Sequence, residues 1–213
     1  EFTRQEFLDW SGMPEEKVHL VYNGCEACFT EAGERHTPGY AYVFYGGNHR
    51  SYKNLDRLIR AYAASSLPSR GIKLVFTGNQ NDDLAALASR LSVGGHLVFT
   101  GRLPAEEIPS FYRGALAVAY VSLFEGFGLP IIEAYACGVP VLTSNLTAMP
   151  EVAGDGAVLV NPESVEEIRL GLDRITSDEA LRKELVDGGR KRLSDFNWDK
   201  SAERVWQIVK DVA

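Results

Sequence analysis

The sequence predicts an α/β protein: a doubly wound, Rossmann-like parallel sheet of about six strands with helices on both faces, followed by C-terminal helices. Three observations predict it. Short β-rich apolar runs alternate with segments whose apolar residues recur at helical spacing. Runs such as "LAVAYVS" are almost continuously apolar, as strands buried on both faces are. Most runs end in glycine or a polar turn, where a strand must hand over to a helix.

The elements follow in order. "EFTRQEFLDW" is polar and helix-like from its first residue and reads as an entry into the middle of a larger protein. The first apolar run, "KVHLVY" (17–22), ends in the turn "NG" and is followed by a polar loop. "AYVFYGG" (41–47) is a strand ending in glycines, and "NLDRLIRAYAAS" (54–65) a helix with Leu55, Leu58, Ile59 and Tyr62 on one face. "IKLVFTG" and "HLVFTG" are strands flanking the helix "DDLAALASRL", for which Asp82 is the expected cap. "PAEEIPSFYRG" opens with proline and acids and stops at glycine, as helices do. "LAVAYVS" and "VPVLTS" are buried strands around the helix "PIIEAYACG", and "GAVLVNP" is the last strand. Helices are expected over 165–176, 178–193 and 198–212.

Right-handed crossovers bring the C-terminal ends of all strands to one edge of such a sheet. Ligands bind at that edge. It collects "GGNHRSYK", "TGNQN", "TGRLP", "SLFEGFGLP" and "TSNLTAMPE", all the unusual loops of the chain.

Composition narrows the function. With 213 residues, 45% hydrophobic and 24% charged, the chain can bury a substantial core. A net charge of −7 disfavours nucleic acid as a partner, which demands a basic face, but leaves room for a basic pocket. No transmembrane span or signal-peptide core is present, and three cysteines, an odd number, fit free thiols in a reducing cytoplasm. "CEAC" (Cys25, Cys28) lacks two further ligands for zinc and precedes a loop instead of a redox-site helix. The sequon at Asn145 is a pattern only.

The most informative stretch is "LFEGFGLPIIEAYACGVPV". Gly126 and Gly128 permit close backbone approach or positive φ, and Pro130 fits a first helical turn. Amides of Gly126, Phe127, Gly128 and Leu129 would then point from a helix N-terminus at the binding edge, an arrangement that attracts phosphate. Glu125 and Glu133 flank this site, with seven residues between them. Carboxylates suit sugar hydroxyls better than phosphates. A ligand with phosphates in the middle and hydroxyls at both ends, a nucleoside diphosphate sugar, satisfies the whole arrangement. Taken alone, the stretch equally fits an acid in a helix's first turn and a solvated loop glutamate. The loop "YGGNHRSYKN" agrees with the ligand reading: Gly46 and Gly47 end a strand, and Lys53 can set an ammonium over a pyrophosphate, although a lone lysine is more often a surface residue. No Asp-x-Asp sits at a strand end, since Asp82 and Asp83 read as a cap and first turn. No metal and no separate cofactor are therefore expected.

The combination resembles the C-terminal, donor-binding half of retaining family-4 glycosyltransferases of GT-B fold, over nearly the entire chain. "SLFEGFGLPIIEAYACGVPVLTS" is similar to the family's Glu-seven-Glu motif, and "VYNGCE", "YGGNHRSYKNLDRLIRAY", "LVFTGRLPAEEIPSFYRGA" and "MPEVAGDGAVLVNP" resemble its other segments in order. The resemblance implies that Lys53 contacts the donor phosphates beside Gly47 and that Glu125 lies near the transferred sugar. It implies that the amides at 126–129 hold sugar hydroxyls and phosphate, that Glu133 binds the ribose, and that Arg102 and Leu103 line the base. Where the family commonly carries a second cation, this sequence has Asn48, with Arg50 two residues on. Residues 1–22 would be the tail of an acceptor domain and its linker, 23–194 the nucleotide-sugar domain, and 195–213 a helix returning to pack on that acceptor domain. Trp198, Val205, Trp206, Ile208 and Val209 would then include exposed apolar surface. The motif style resembles mannosyltransferases of bacterial polysaccharide assembly, which points to GDP-mannose and to a glycan or lipid-linked acceptor. The full-length enzyme is then expected in the cytoplasm, with peripheral association at the inner membrane face open to it. The chain alone is expected to bind donor and transfer little or nothing. A non-catalytic nucleotide-sugar module and a GT-B epimerase or phosphorylase are the alternatives. A dehydrogenase is disfavoured, because no G-x-G-x-x-G follows the first strand.

Overall fold

The computed structural model describes residues 1–212. Six short strands form one parallel sheet: β1 (Tyr42–Tyr45), β2 (Lys73–Phe76), β3 (Leu97–Phe99), β4 (Ala117–Tyr120), β5 (Val141–Ser144) and β6 (Ala157–Val160), in the order β3-β2-β1-β4-β5-β6. Every pairing is parallel, with Val43 opposite both Leu74 and Ala117. The strand order reverses between β1 and β4, so the chain leaves these neighbours in opposite directions. That divergence opens a crevice at their C-terminal ends.

The helices are α1 (Phe2–Ser11), α2 (Leu55–Ala64), α3 (Asp82–Arg90), α4 (Ile108–Gly114), α5 (Leu129–Ala136), α6 (Met149–Ala153), α7 (Val165–Ser177), α8 (Glu179–Leu193) and α9 (Trp198–Val212). α2, α3 and α7 pack together on one face of the sheet, and α4, α5, α6 and α8 on the other. β1, β4 and β5 are buried at every position, as their apolar runs predict. Leu58 and Ile59 of α2, Ile131 and Ile132 of α5 and Ile168 of α7 close the core over them. No helix among the described residues is long and apolar enough to cross a membrane.

Local chemistry sets the boundaries, and at the starts of two helices it departs from the sequence reading. α3 is capped by Asn81, whose side chain accepts hydrogen bonds from the Asp83 and Leu84 amides; Asp82 is the first helical residue instead. α4 starts at Ile108, because Pro109 has no N–H to give an earlier turn, and 104–107 form a turn instead. "KVHLVY", an apolar run outside the six strands counted from the sequence, joins no sheet: residues 18–22 take no regular structure, and Tyr22 packs edge-on against Phe196. The short α6, started by Pro150, has too few residues to show a helical period.

α1 and α9 lie outside this core. α1 buries no residue. α9 begins against the chain at Gly24, where a Cβ would stand 2.5 Å from the Trp198 amide nitrogen. Trp198, Val205, Trp206 and Val209 are exposed along it.

Candidate donor-binding and catalytic site

The crevice between β1 and β4 is a cleft of about 520 Å³. The loop after β1 forms one wall. Gly46 must be glycine here, since a Cβ would lie 2.7 Å from the Tyr112 hydroxyl of α4. Thr77, at the end of β2, clasps the loop: its Oγ1 accepts from the Gly47 amide at 2.8 Å and donates to the Gly47 carbonyl at 2.9 Å. A single turn, Ser51–Lys53, then delivers Lys53 into the cleft.

Asn54 makes this delivery rigid. It adopts the left-handed conformation, φ 61, which asparagine tolerates better than most residues. Its side chain is fully buried, and Nδ2 donates to the carbonyls of Val121 and Pro162. One side chain thus ties the Lys53 turn to the chain leaving β4 and to the chain leaving β6.

The opposite wall is the loop after β4. Lys53 Nζ donates to Glu125 Oε1 at 2.7 Å and to the Tyr120 hydroxyl at 2.5 Å, and that hydroxyl donates to Glu125 Oε1 at 2.7 Å. Both charged side chains are largely shielded, at 8% exposure for Lys53 and 13% for Glu125. Thr147 Oγ1 accepts from the Glu125 amide and fixes the start of the loop. Gly128 takes a positive φ of 103, which starts α5 with no side-chain cap. Among the described residues the amides of Gly126, Phe127, Gly128 and Leu129 donate to no protein acceptor. Such amides, with the helix dipole behind them, favour an anion.

Glu133, in the second turn of α5, lines the same cleft and accepts a 2.6 Å hydrogen bond from the Tyr112 hydroxyl at Oε2. Burial holds its carboxyl above the usual glutamate range, and the tyrosine bond only partly offsets this. An acid with a higher pKa in the folded state binds its proton more readily there. Stability therefore falls as pH rises from the ordinary glutamate value through the raised one. Glu133→Gln keeps an acceptor for Tyr112 and removes the charge. Its Tm is expected to exceed that of the parent at neutral pH and to converge with it below the ordinary glutamate range, as a melting series against pH would show.

The fold thus brings together Gly47, Asn48, Lys53, Glu125, Phe127, Gly128, Leu129 and Glu133 in one cleft. Arg50, Arg102, Leu103 and Gly126 are not among its lining residues. Arg50 and Arg102 are exposed, Leu103 packs against the core, and the Gly126 carbonyl accepts from Thr3 Oγ1 of α1. Tyr112, Tyr120, Thr77, Asn23 and Phe29 line the cleft although the sequence did not single them out. For the tyrosines the available signal was a polar tip within an apolar helix or strand. Cys25, Cys28 and Cys137 are free thiols, and burial pushes Cys25 and Cys137 up to about 12, away from reactivity.

Known proteins resemble the chain in sequence and in fold. The model of the family "Glycosyl transferases group 1" matches residues 30–192. O-antigen chain mannosyltransferase B from Escherichia coli is 28% identical over 223 aligned residues, covering 99% of this chain and 58% of that protein. The chain therefore spans little more than half of that relative. Among solved structures, sucrose-phosphate synthase from Thermosynechococcus elongatus superposes with a TM-score of 0.83 at 22% identity, over 99% of this chain and 56% of that one. Anabaena HepE in complex with UDP and glucose superposes with a TM-score of 0.83 at 18% identity, over 97% of this chain and 60% of that one. These structures share the fold, one half of a GT-B glycosyltransferase. With the family match extending from the loop before β1 to the last turn of α8, and with all of the cleft's lining except Asn23 and Phe29 inside it, the chain belongs to the glycosyl transferases group 1 family.

Proposed function

We propose that this chain is the donor-binding half of a retaining, metal-independent glycosyltransferase that takes its sugar from a nucleoside diphosphate sugar. One observation carries the reading: a shielded lysine and a set of unpartnered amides share a cleft with two carboxylates. The cation and amides suit a pyrophosphate, and the carboxylates suit hydroxyls on either side. Breaking the glycosidic bond leaves negative charge on the departing diphosphate while an oxocarbenium-like centre forms on the sugar. Lys53 and the 127–129 amides meet that charge with preset dipoles, so no metal is required for it. Glu125 stands beside the transferred sugar, and Glu133 receives the ribose hydroxyls.

GDP-mannose is the proposed donor, since the relative named above is a mannosyltransferase. The acceptor is a glycan or lipid-linked sugar, held by a further domain of the complete protein at the cytoplasmic face of the membrane. The exposed apolar residues of α9 are the surface such a domain would cover.

A thermal-shift series with GDP-, UDP-, ADP- and dTDP-sugars tests the donor assignment directly. At a hundred times its dissociation constant a ligand stabilises by about 2.7 kcal/mol. GDP-mannose is expected to raise the Tm of this chain most, and to do so equally in the presence of a chelator. A larger shift with a UDP-sugar would overturn the base, and no shift with any of the four would overturn the site.

A further inference from the structure

We propose that Tyr120 is a positioning residue that holds the Glu125 carboxylate in its working orientation once Lys53 turns to the donor phosphates. The inference rests on the donor site proposed above and adds a residue to it. Its basis is the triangle of Lys53, Tyr120 and Glu125, in which both donors meet the same carboxylate oxygen. Glu125 Oε2 has no partner among the described residues. Pinning Oε1 therefore leaves Oε2 as the oxygen presented to a ligand.

The two donors differ in kind. Lys53 reaches Glu125 on a flexible four-carbon stem, and its ammonium is a point charge that a pyrophosphate would attract. As Nζ moves to phosphate, Glu125 loses its cation at the moment the sugar must be met. Tyr120 cannot follow. It is the last residue of β4, 1% exposed; its ring lies against Tyr45 and its carbonyl is held by Thr143 Oγ1 at 2.7 Å. Its hydroxyl has a single proton, directed at Glu125 while the oxygen accepts from Lys53. Burial raises the phenol far above its ordinary range, so it remains a donor throughout. The sheet thus supplies a hydrogen bond to Glu125 that does not depend on where Lys53 is.

Tyr120→Phe removes the hydroxyl and keeps the ring. In the complete protein it is expected to lower kcat by about 10- to 100-fold, the scale of a misoriented catalytic group. The donor KM should stay within about threefold, because phosphate contacts are untouched. In a Glu125→Gln background the same change should cost nothing further, because the group it positions has already lost its charge. Titration of each variant with GDP, no weaker than for the parent, verifies that the cleft is intact. A kcat equal to that of the parent would overturn the proposal, as would an equal loss in both backgrounds or a loss carried by KM. These results are separable from failure of the donor-site reading itself, which would appear as a parent protein that neither binds GDP nor is stabilised by any of the four nucleotide sugars.

Discussion

Glu125→Gln in the complete protein is expected to lower kcat by roughly 100- to 1,000-fold, the range seen when one group that stabilises transition-state charge is lost. Affinity for the nucleoside diphosphate should hold or improve. The carboxylate lies 2.7 Å from Lys53 and shares the cleft with the proposed phosphates, so in binding it repels the donor and competes for its cation. Glutamine keeps an oxygen for Lys53 and Tyr120 while removing that repulsion. Alanine is the poorer probe. It would strand a shielded ammonium, and breaking a buried pair costs about 3 kcal/mol, so lost folding would be confused with lost chemistry. Steady-state transfer, read beside GDP titration, separates the two terms. Turnover equal to that of the parent would show that Glu125 is a structural counter-ion of Lys53 and nothing more.

How far the sequence discloses such a site depends on the range of each interaction. The strands and most helices are legible because their signals are local: a continuous apolar run for a strand buried on both faces, a helical period, a proline or glycine at an end. "KVHLVY" carries the same apolar signal and forms no strand, because a strand exists only where another strand pairs with it. Here the segment is held by side chains, with Tyr22 on Phe196 and its hydroxyl on Glu151. The Asn81 cap was obscured by two aspartates following it, either of which satisfies the cap rule on composition alone.

The segments bearing Lys53, Glu125 and Glu133 are legible as a group because the doubly wound topology sends the loops, and the start of α5, to one edge. Their partners are not. Tyr120 meets Lys53 across 67 positions of chain and Tyr112 meets Glu133 across 21. On β4 and α4 these tyrosines read as apolar filler, and only the packed structure shows where their hydroxyls end. Asn54 is similar: it reads as the first residue of a helix, yet it joins three separate loops by one buried amide. Pairings of this kind are tertiary, and single-sequence periodicity has no access to them.

Lys53→Met is the second change expected to have a large effect, now on binding. Methionine fills the volume of the lysine stem and carries no charge. Hydrogen bonds to charged groups contribute about 1.5 to 3 kcal/mol, so GDP and its sugars should bind roughly 10- to 100-fold more weakly, read by calorimetric titration of this chain. Glu125 strengthens the effect, because without Lys53 its carboxylate faces the incoming phosphates uncompensated except by the Tyr120 hydroxyl. The same loss of pairing should lower Tm. The double variant Lys53→Met, Glu125→Gln separates the roles of the lysine. If Lys53 serves the fold by neutralising Glu125, removing both charges restores Tm, since a buried ion pair replaced by neutral groups is often no less stable. If Lys53 also serves the ligand, nucleotide affinity stays low even where Tm recovers. The second outcome is expected, since the 127–129 amides alone supply dipoles and no full positive charge. Recovery of affinity together with Tm would show that the lysine is present for Glu125 and that the phosphate is held elsewhere.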